Sequence, residues 1–320
     1  MRRHAIGLII VLAALAAASL FAQAKAKPKI AVVPKGTTHV FWKSIHAGAI
    51  KAGKEFGAEI IWQGPQKEDD RNMQIQVVQN FVSRKVDALV LAPLDDRALV
   101  PPVKAAKERG IKVVIIDSDL KSEDFESFVA TDNHAGGKLC AKRLAEVMGG
   151  KGKALMMRYS EGSASTMNRE QGFLDGMKEY APAIELVSIS QYAGATAEKA
   201  FATAQNLLNR HGDINGVFCP NESTTFGMLR ALQTAGKAGK LKFVGFDSSD
   251  SLVKALEAGE IDGLAQQNPF KMGYLGVKIA IDTLGGKPVE KRVDTGVVMA
   301  TKENMASPEI KALLSPDLKL

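Results

Sequence analysis

The chain has 320 residues, 46% of them hydrophobic, 24% charged and only 6% aromatic, the balance of an ordinary soluble globular protein. The formal net charge is +7, but its Lys and Arg residues are scattered, and no basic run of the kind that marks nucleic-acid binding occurs. Two cysteines, Cys140 and Cys219, exclude a disulfide-stapled scaffold, and no Cys/His cluster has metal-ligand spacing.

Met1-Arg2-Arg3-His4 is basic and runs into an almost uninterrupted apolar stretch, Ala5 to Phe21, followed by Ala22-Gln23-Ala24, a small-x-small cleavage pattern. Residues 1–24 are therefore expected to be an export signal that is removed. The apolar stretch is shorter than the roughly 20 residues of a membrane anchor, and Lys25-Ala26-Lys27-Pro28 suits a mature N-terminus. Arg2-Arg3 lack the rest of a twin-arginine signal, and no Cys lies near the cleavage region to accept a lipid. A soluble mature chain is expected, and losing Arg2 and Arg3 leaves it at +5. In an oxidising compartment, Cys140 and Cys219 read as two buried thiols, with one disulfide as the alternative.

The mature length accommodates two domains of about 100–200 residues each. Apolar, β-branched runs at 30–33, 59–62, 88–91 and 112–116 alternate with helical periods over 41–56, 70–84 and 98–109. After Asp132 the pattern restarts, with strands near 154–156, 185–189, 216–218 and 242–246 and helices over 135–148, 167–180, 197–210 and 223–235. Continuous apolar strands between amphipathic helices predict parallel sheets covered on both faces, an α/β doubly wound architecture built twice. The halves echo each other: Lys112-Val113-Val114-Ile115-Ile116-Asp117 matches Lys242-Phe243-Val244-Gly245-Phe246-Asp247, and 48–61 resembles 172–187.

Ligands of open parallel sheets bind beyond the carboxyl ends of the strands, so two facing lobes form a cleft lined by strand-end residues. Those residues are polar: Lys35 to Trp42, Asp95-Asp96, Asp117-Ser118-Asp119, Ser163 to Arg169, Asn221-Glu222, Asp247-Ser248-Ser249 and Gln266-Gln267-Asn268. An ionised Asp accepts from two adjacent hydroxyls, Arg and Asn complete the donor and acceptor set, and Phe41 or Trp42 can cover the C–H face of a sugar ring. The combination carries the weight, because each member alone has a structural reading. Asp117 or Asp247 can cap a helix, one of Phe41 and Trp42 is expected in the core, Arg169 can be a surface residue, Asn221 a turn and His39 an ordinary loop residue. Asp95-Asp96 and Glu68-Asp69-Asp70 read as helix N-terminal charges. No G-x-G-x-x-G, Walker loop, G-x-S-x-G or H-E-x-x-H occurs, and Gly149 to Lys153 precedes a strand where a phosphate loop should follow one. No enzyme activity and no cofactor are expected.

Ile30 to Trp42 with its aromatic pair, Val129 to Gly137, Arg169-Glu170-Gln171-Gly172-Phe173, Ala231 to Gly236 and Val244 to Asp247 together resemble the ribose-type periplasmic sugar-binding proteins. The resemblance covers essentially the whole mature chain. It implies a type I periplasmic binding protein fold, with lobe 1 from 25–131 plus 268–294 and lobe 2 from 132–267 plus 295–320. Three crossovers would join the lobes near Thr131, near Asn268 and around Asp294 to Gly296. The family's ligand positions fall on Lys35, His39, Phe41, Trp42, Asp117, Ser118, Arg169, Asn221, Asp247 and Gln267. Ser118 stands where Arg is common, Lys35 where a small hydroxyl residue is usual, His39 where Asn is usual, and Ala195 where an aromatic contacts the sugar, so Tyr192 is taken as the replacement ring.

The implied function is a monomeric, periplasmic binding component of an ABC importer. It would close around a pentose, hexose or polyol and deliver it to a permease; a chemoreceptor or sensor kinase is a compatible further partner. Pro34-Lys35, Asp117-Ser118-Asp119 and Pro220 resemble instead the autoinducer-2 receptors of the same fold, which rank second. A sugar-responsive repressor would need an N-terminal helix-turn-helix where this chain has an export signal.

Overall fold

The computed structural model describes residues 26–316 and 318, so the expected export signal lies outside the described residues. In the first lobe the chain forms β1 (Lys29–Val33), α1 (Val40–Phe56), β2 (Glu59–Trp62), α2 (Arg71–Arg84), β3 (Ala88–Leu91), α3 (Val100–Glu108), β4 (Lys112–Ile116) and β5 (Ser127–Ala130). The second lobe follows with α4 (Asn133–Met148), β6 (Gly152–Met156), α5 (Ala164–Tyr180), β7 (Ile184–Ser188) and α6 (Ala197–Arg210). It continues with β8 (Gly216–Phe218), α7 (Glu222–Thr234), β9 (Lys242–Phe246), α8 (Asp250–Ala258) and β10 (Gly263–Gln267). The chain then returns with α9 (Pro269–Leu284) and β11 (Arg292–Asp294) before crossing again to β12 (Val297–Ala300) and α10 (Pro308–Leu314).

The strand orders, β11-β5-β4-β3-β1-β2 and β12-β10-β9-β8-β6-β7, are the same topology repeated. β12 pairs antiparallel with β10, whereas β11 is parallel to β5. Central strands such as Ala88–Leu91 are buried along their whole length, as expected for sheets with helices on both faces. Strand membership changes sheet three times, at Thr131-Asp132, at Asn268 and at Thr295-Gly296. The first and third of these run side by side: the Thr131 hydroxyl donates to Gly296 O at 3.1 Å, and the Asp132 backbone N–H donates to Asp294 Oδ1 at 3.0 Å.

Helix starts differ from the periodicity where a cap fixes them. Asp132 accepts from the Ala135 backbone N–H at 2.9 Å, so α4 begins at Asn133, ahead of its first apolar contacts. α8 and α9 are not marked by the periodicity at all: α8 has only nine residues, and α9 is apolar around most of its circumference because it lies over the first sheet. Cys140 and Cys219 are both free and buried, and burial pushes both thiols up from their ordinary pKa. No helix among the described residues is long and apolar enough to cross a membrane.

In each lobe one helix pair crosses backbone to backbone. A Cβ at Gly48 would lie 2.0 Å from Phe270 O, and one at Gly273 2.0 Å from Ile45 O, so α1 and α9 approach through reciprocal glycines. α4 and α5 repeat the device, with Gly137 against Arg169 O at 2.0 Å and Gly172 against His134 O at 2.1 Å. This contact fixes the part of α5 that carries Arg169 into the cleft. Gly137→Ala and Gly172→Ala are each expected to destabilise the protein by about 1–3 kcal/mol in urea unfolding. Gly212→Ala, where nothing approaches within 4 Å, should stay within about 0.5 kcal/mol of wild type.

Candidate functional site

The carboxyl ends of the two sheets face each other, and the strongest feature there is a pair of strained aspartates. Asp117 follows β4 and Asp247 follows β9, the two positions that the internal echo aligns, and both adopt left-handed backbone at φ 63° and 66°. Asp tolerates that region better than most residues, yet it costs about 1 kcal/mol or more, so each is held by its surroundings. Neither caps the helix that follows it, although Asp247 Oδ2 accepts from the Glu222 backbone N–H at the start of α7 (Glu222–Thr234) at 3.2 Å.

Each aspartate faces a buried cation. Lys35 Nζ, after β1, lies 2.9 Å from Asp117 Oδ2 and donates to Ser165 Oγ at 3.1 Å, with Ser163 Oγ at 3.4 Å. Arg169 on α5 is 3.7 Å from Asp247 Oδ2, donates to Asn133 Oδ1 at 2.8 Å and Pro220 O at 3.0 Å, and lies over the Phe246 ring at 4.0 Å. All four residues are 7% exposed or less, so the surface-residue reading of Arg169 does not hold. Gln267 completes the second pair by donating to Asp247 Oδ1 at 2.7 Å. Burial pushes the Asp247 carboxyl above its ordinary pKa, with Arg169 and the Gln267 hydrogen bond only partly opposing it.

These groups line an interlobe cavity together with His39, Phe41, Trp42, Asn221, Glu222 and two residues outside the strand-end set, Glu68 and Tyr159. Trp42 is buried, with Phe41 packed edge-on to it at 4.9 Å, so the core role falls to Trp42 and the more accessible wall to Phe41. Asn221 caps α7, accepting from Thr224 N at 3.3 Å and Thr224 Oγ1 at 2.7 Å, while one edge still faces the cavity. Ser118 sits behind the wall rather than in it; its Oγ accepts from the Ser165 backbone N–H at 3.0 Å and ties the lobes together.

Tyr192 is corrected: its half-buried ring stacks under the Arg158 guanidinium at 4.7 Å and takes no part in the cavity wall. Linear proximity to Ala195 misleads there, because Tyr192 is held in a bridge to Arg158. Glu68 is corrected too. Asp70 does cap α2, accepting from Met73 N at 2.9 Å, but Glu68 folds inward. Its Oε1 accepts from Trp42 Nε1 at 2.7 Å and faces His39 Nδ1 at 2.7 Å, and its Oε2 accepts from the Tyr159 hydroxyl of the other lobe at 2.6 Å. Burial alone would raise the Glu68 carboxyl, but His39, Tyr159 and Trp42 outweigh it and bring the pKa down to about 2. Burial would likewise lower His39, and the hydrogen bond and charge of Glu68 instead raise it to about 9.

The chain matches the model of the periplasmic binding protein domain over residues 30–288. It belongs to the periplasmic binding protein family. Among relatives of this binding protein, the D-ribose/D-allose-binding protein of Pseudomonas aeruginosa is 32% identical, covering 91% of this chain and 92% of that one. The D-allose-binding periplasmic protein of Escherichia coli is 30% identical, covering 82% and 86%. An ABC-transporter solute-binding protein of Agrobacterium vitis, solved with bound D-fucose, superposes with a TM-score of 0.85 at 40% identity, covering 90% of this chain and all of that one. A carbohydrate-transporter solute-binding protein of Agrobacterium radiobacter, solved with D-arabinose, gives a TM-score of 0.88 at 35% identity, covering 91% of this chain and all of that one. The fold is thus the two-lobed, three-crossover architecture of type I periplasmic binding proteins.

The pH behaviour of this binding protein follows from the Glu68–His39 pair. A carboxyl lowered to about 2 contributes stability above its unfolded value near 4.5 and loses it as pH falls. An imidazole raised to about 9 contributes fully below 6.5 and loses that contribution as pH rises through 9. Glu68→Gln removes both contributions, so its urea stability should lie below wild type by about 2 kcal/mol between pH 5 and 6.5. The two curves should converge at acid pH and draw closer as pH rises through 9, where the His39 contribution is lost; a gap independent of pH would assign the loss to packing instead.

Proposed function

We propose that this chain is the periplasmic solute-capturing component of an ABC importer and takes one neutral monosaccharide or small polyol into the interlobe cleft. The observation that carries the reading is an interlobe cavity whose wall joins two buried cation–carboxylate pairs to the Phe41 ring. Hydroxyls of a polyol both donate and accept, so one ring can satisfy aspartates and cations together while its C–H face packs on an aromatic. Relatives named for ribose and allose, and neighbours solved with fucose and arabinose, support a sugar over autoinducer-2. Lys35, His39, Phe41, Asp117, Arg169, Asn221, Asp247 and Gln267 are the assigned contacts, with Trp42 and Ser118 supporting them from behind. The lobes 25–131 plus 268–294 and 132–267 plus 295–320 close about the crossovers, and the closed face is what a permease reads.

The test is a thermal-shift screen of residues 25–320 against aldopentoses, hexoses, polyols and autoinducer-2, with calorimetry on each hit, since ligand bound to the native state raises its apparent stability. A rise with one neutral sugar or polyol is expected, and a rise with autoinducer-2 alone would overturn the reading. Asp117→Ala and Arg169→Ala should each weaken the hit by at least about tenfold, or 1.4 kcal/mol. Unchanged affinity in both would remove the assigned site.

A further inference from the structure

Glu222 is the one charged group of the cleft that neither the sugar-binding reading nor the hinge uses. It opens α7 in the second lobe and lines both the inner cavity and a larger outer groove, a position shared with His39 and Glu68. It therefore stands at the rim between the ligand chamber and solvent. Its Oε2 is buried and has no hydrogen-bond partner. Gln267 Oε1 is in the same condition, and Asp117 Oδ2 makes the 2.9 Å ion pair with Lys35 Nζ but no hydrogen bond.

Three acceptor oxygens in the cleft, two with no partner and one in an ion pair only, thus receive no hydrogen bond from the protein. A buried acceptor left unmatched costs about 1–3 kcal/mol, so the chamber is short of donors rather than of acceptors. Resting on the sugar-binding reading, we infer that Glu222 is a specificity-determining contact: its carboxylate takes a hydrogen bond from a ligand hydroxyl at the rim and so selects donor-rich, neutral ligands over acidic sugars. An aldonate or uronate would add a further carboxylate to Glu68, Asp117, Glu222 and Asp247.

The groups that face Glu222 give this contact a proton signature. Burial pushes its carboxyl up; His39, from ahead of α1, opposes that, Asp247 and Glu68 add to it, and the Phe41 backbone N–H in the first turn of α1 opposes it again. The balance leaves the pKa at about 7. Lys67, Glu198 and Asp250 also line the groove side. A hydroxyl donating to Oε2 favours the ionised form, so ligand binding expels a proton and affinity rises with pH until Glu222 is ionised without ligand.

The experiment uses the neutral sugar found in the screen, which does not itself titrate between pH 6 and 8. Calorimetry at pH 7 in buffers of differing ionisation enthalpy should show release of about half a proton by wild type. The affinity should be roughly five- to tenfold tighter at pH 8 than at pH 6. Glu222→Gln keeps the shape and removes the titration; it should release no proton, bind with a flat profile over that range, and narrow the gap between the sugar and its uronate. A thermal melt confirms that the variant folds, and the wild-type proton count stands without it. Proton uptake or none by wild type, or an unchanged slope in Glu222→Gln, overturns the inference while leaving sugar binding intact. If no neutral sugar binds wild type at any pH, the sugar-binding reading fails, and the inference with it.

Discussion

The cleft depends on burying Lys35, Asp117, Arg169 and Asp247 at the ends of two parallel sheets. A lone charge cannot be taken out of water there: removing one partner of such a pair costs about 3–5 kcal/mol, and a pair itself adds little net stability over apolar packing. Pairs of this kind are poor stabilisers and good recognition elements, because their remaining lone pairs and protons stay directed at the space between them. The positive φ at Asp117 and Asp247 belongs to the same arrangement. Each strand ends by turning its carboxylate out of the sheet and into the cleft, and the opposing cation holds it there.

Those pairs could not be placed without the helix crossings beneath them. Arg169 reaches Asn133, Pro220 and Asp247 only because α5 lies against α4 at the distance that Gly137 and Gly172 permit. The equivalent crossing of α1 on α9 sets the first turn of α1, where Phe41 and Trp42 enter the wall. Since α9 arrives from the second crossover, the chain must leave the second lobe before the first lobe's half of the site is complete. The two lobes are repeats in topology but not independent in assembly.

How much of this was legible in the sequence divides along the same line. Alternating apolar runs give the doubly wound sheets, and the paired runs ending in Asp117 and Asp247 give both the repeat and the two central carboxylates, because strand periodicity marks where a strand stops. Glu68 and Tyr159 escape that logic, while Glu222 stands among the strand-end residues without a role of its own. Glu68 lies in an irregular segment between β2 and α2, where a run of acids reads as helix capping and only Asp70 performs it. Tyr159 becomes a site residue through a contact across the cleft, with Glu68, 91 residues away in sequence. Tyr192 fails for the converse reason, being near in sequence to a family position and stacked in space on Arg158.

The contacts that cross the cleft also bear on how it closes. Tyr159 to Glu68, Lys35 to Ser163 and Ser165, the Ser165 N–H to Ser118, and the Asp96 N–H to Gly162 O at 2.9 Å all join the lobes through protein groups alone. A ligand shifts an open–closed equilibrium only by its differential affinity for the two forms. Bonds already made between the lobes lower the share that a sugar must supply, which tightens apparent binding, but they also raise the population of closed protein without cargo. The acceptors left without donors in the chamber work against that population, because closing around them removes their water and gives nothing back until a hydroxyl arrives. Interlobe bonds at the rim and unmatched oxygens inside therefore oppose each other, and their difference sets how strictly closure reports the presence of ligand.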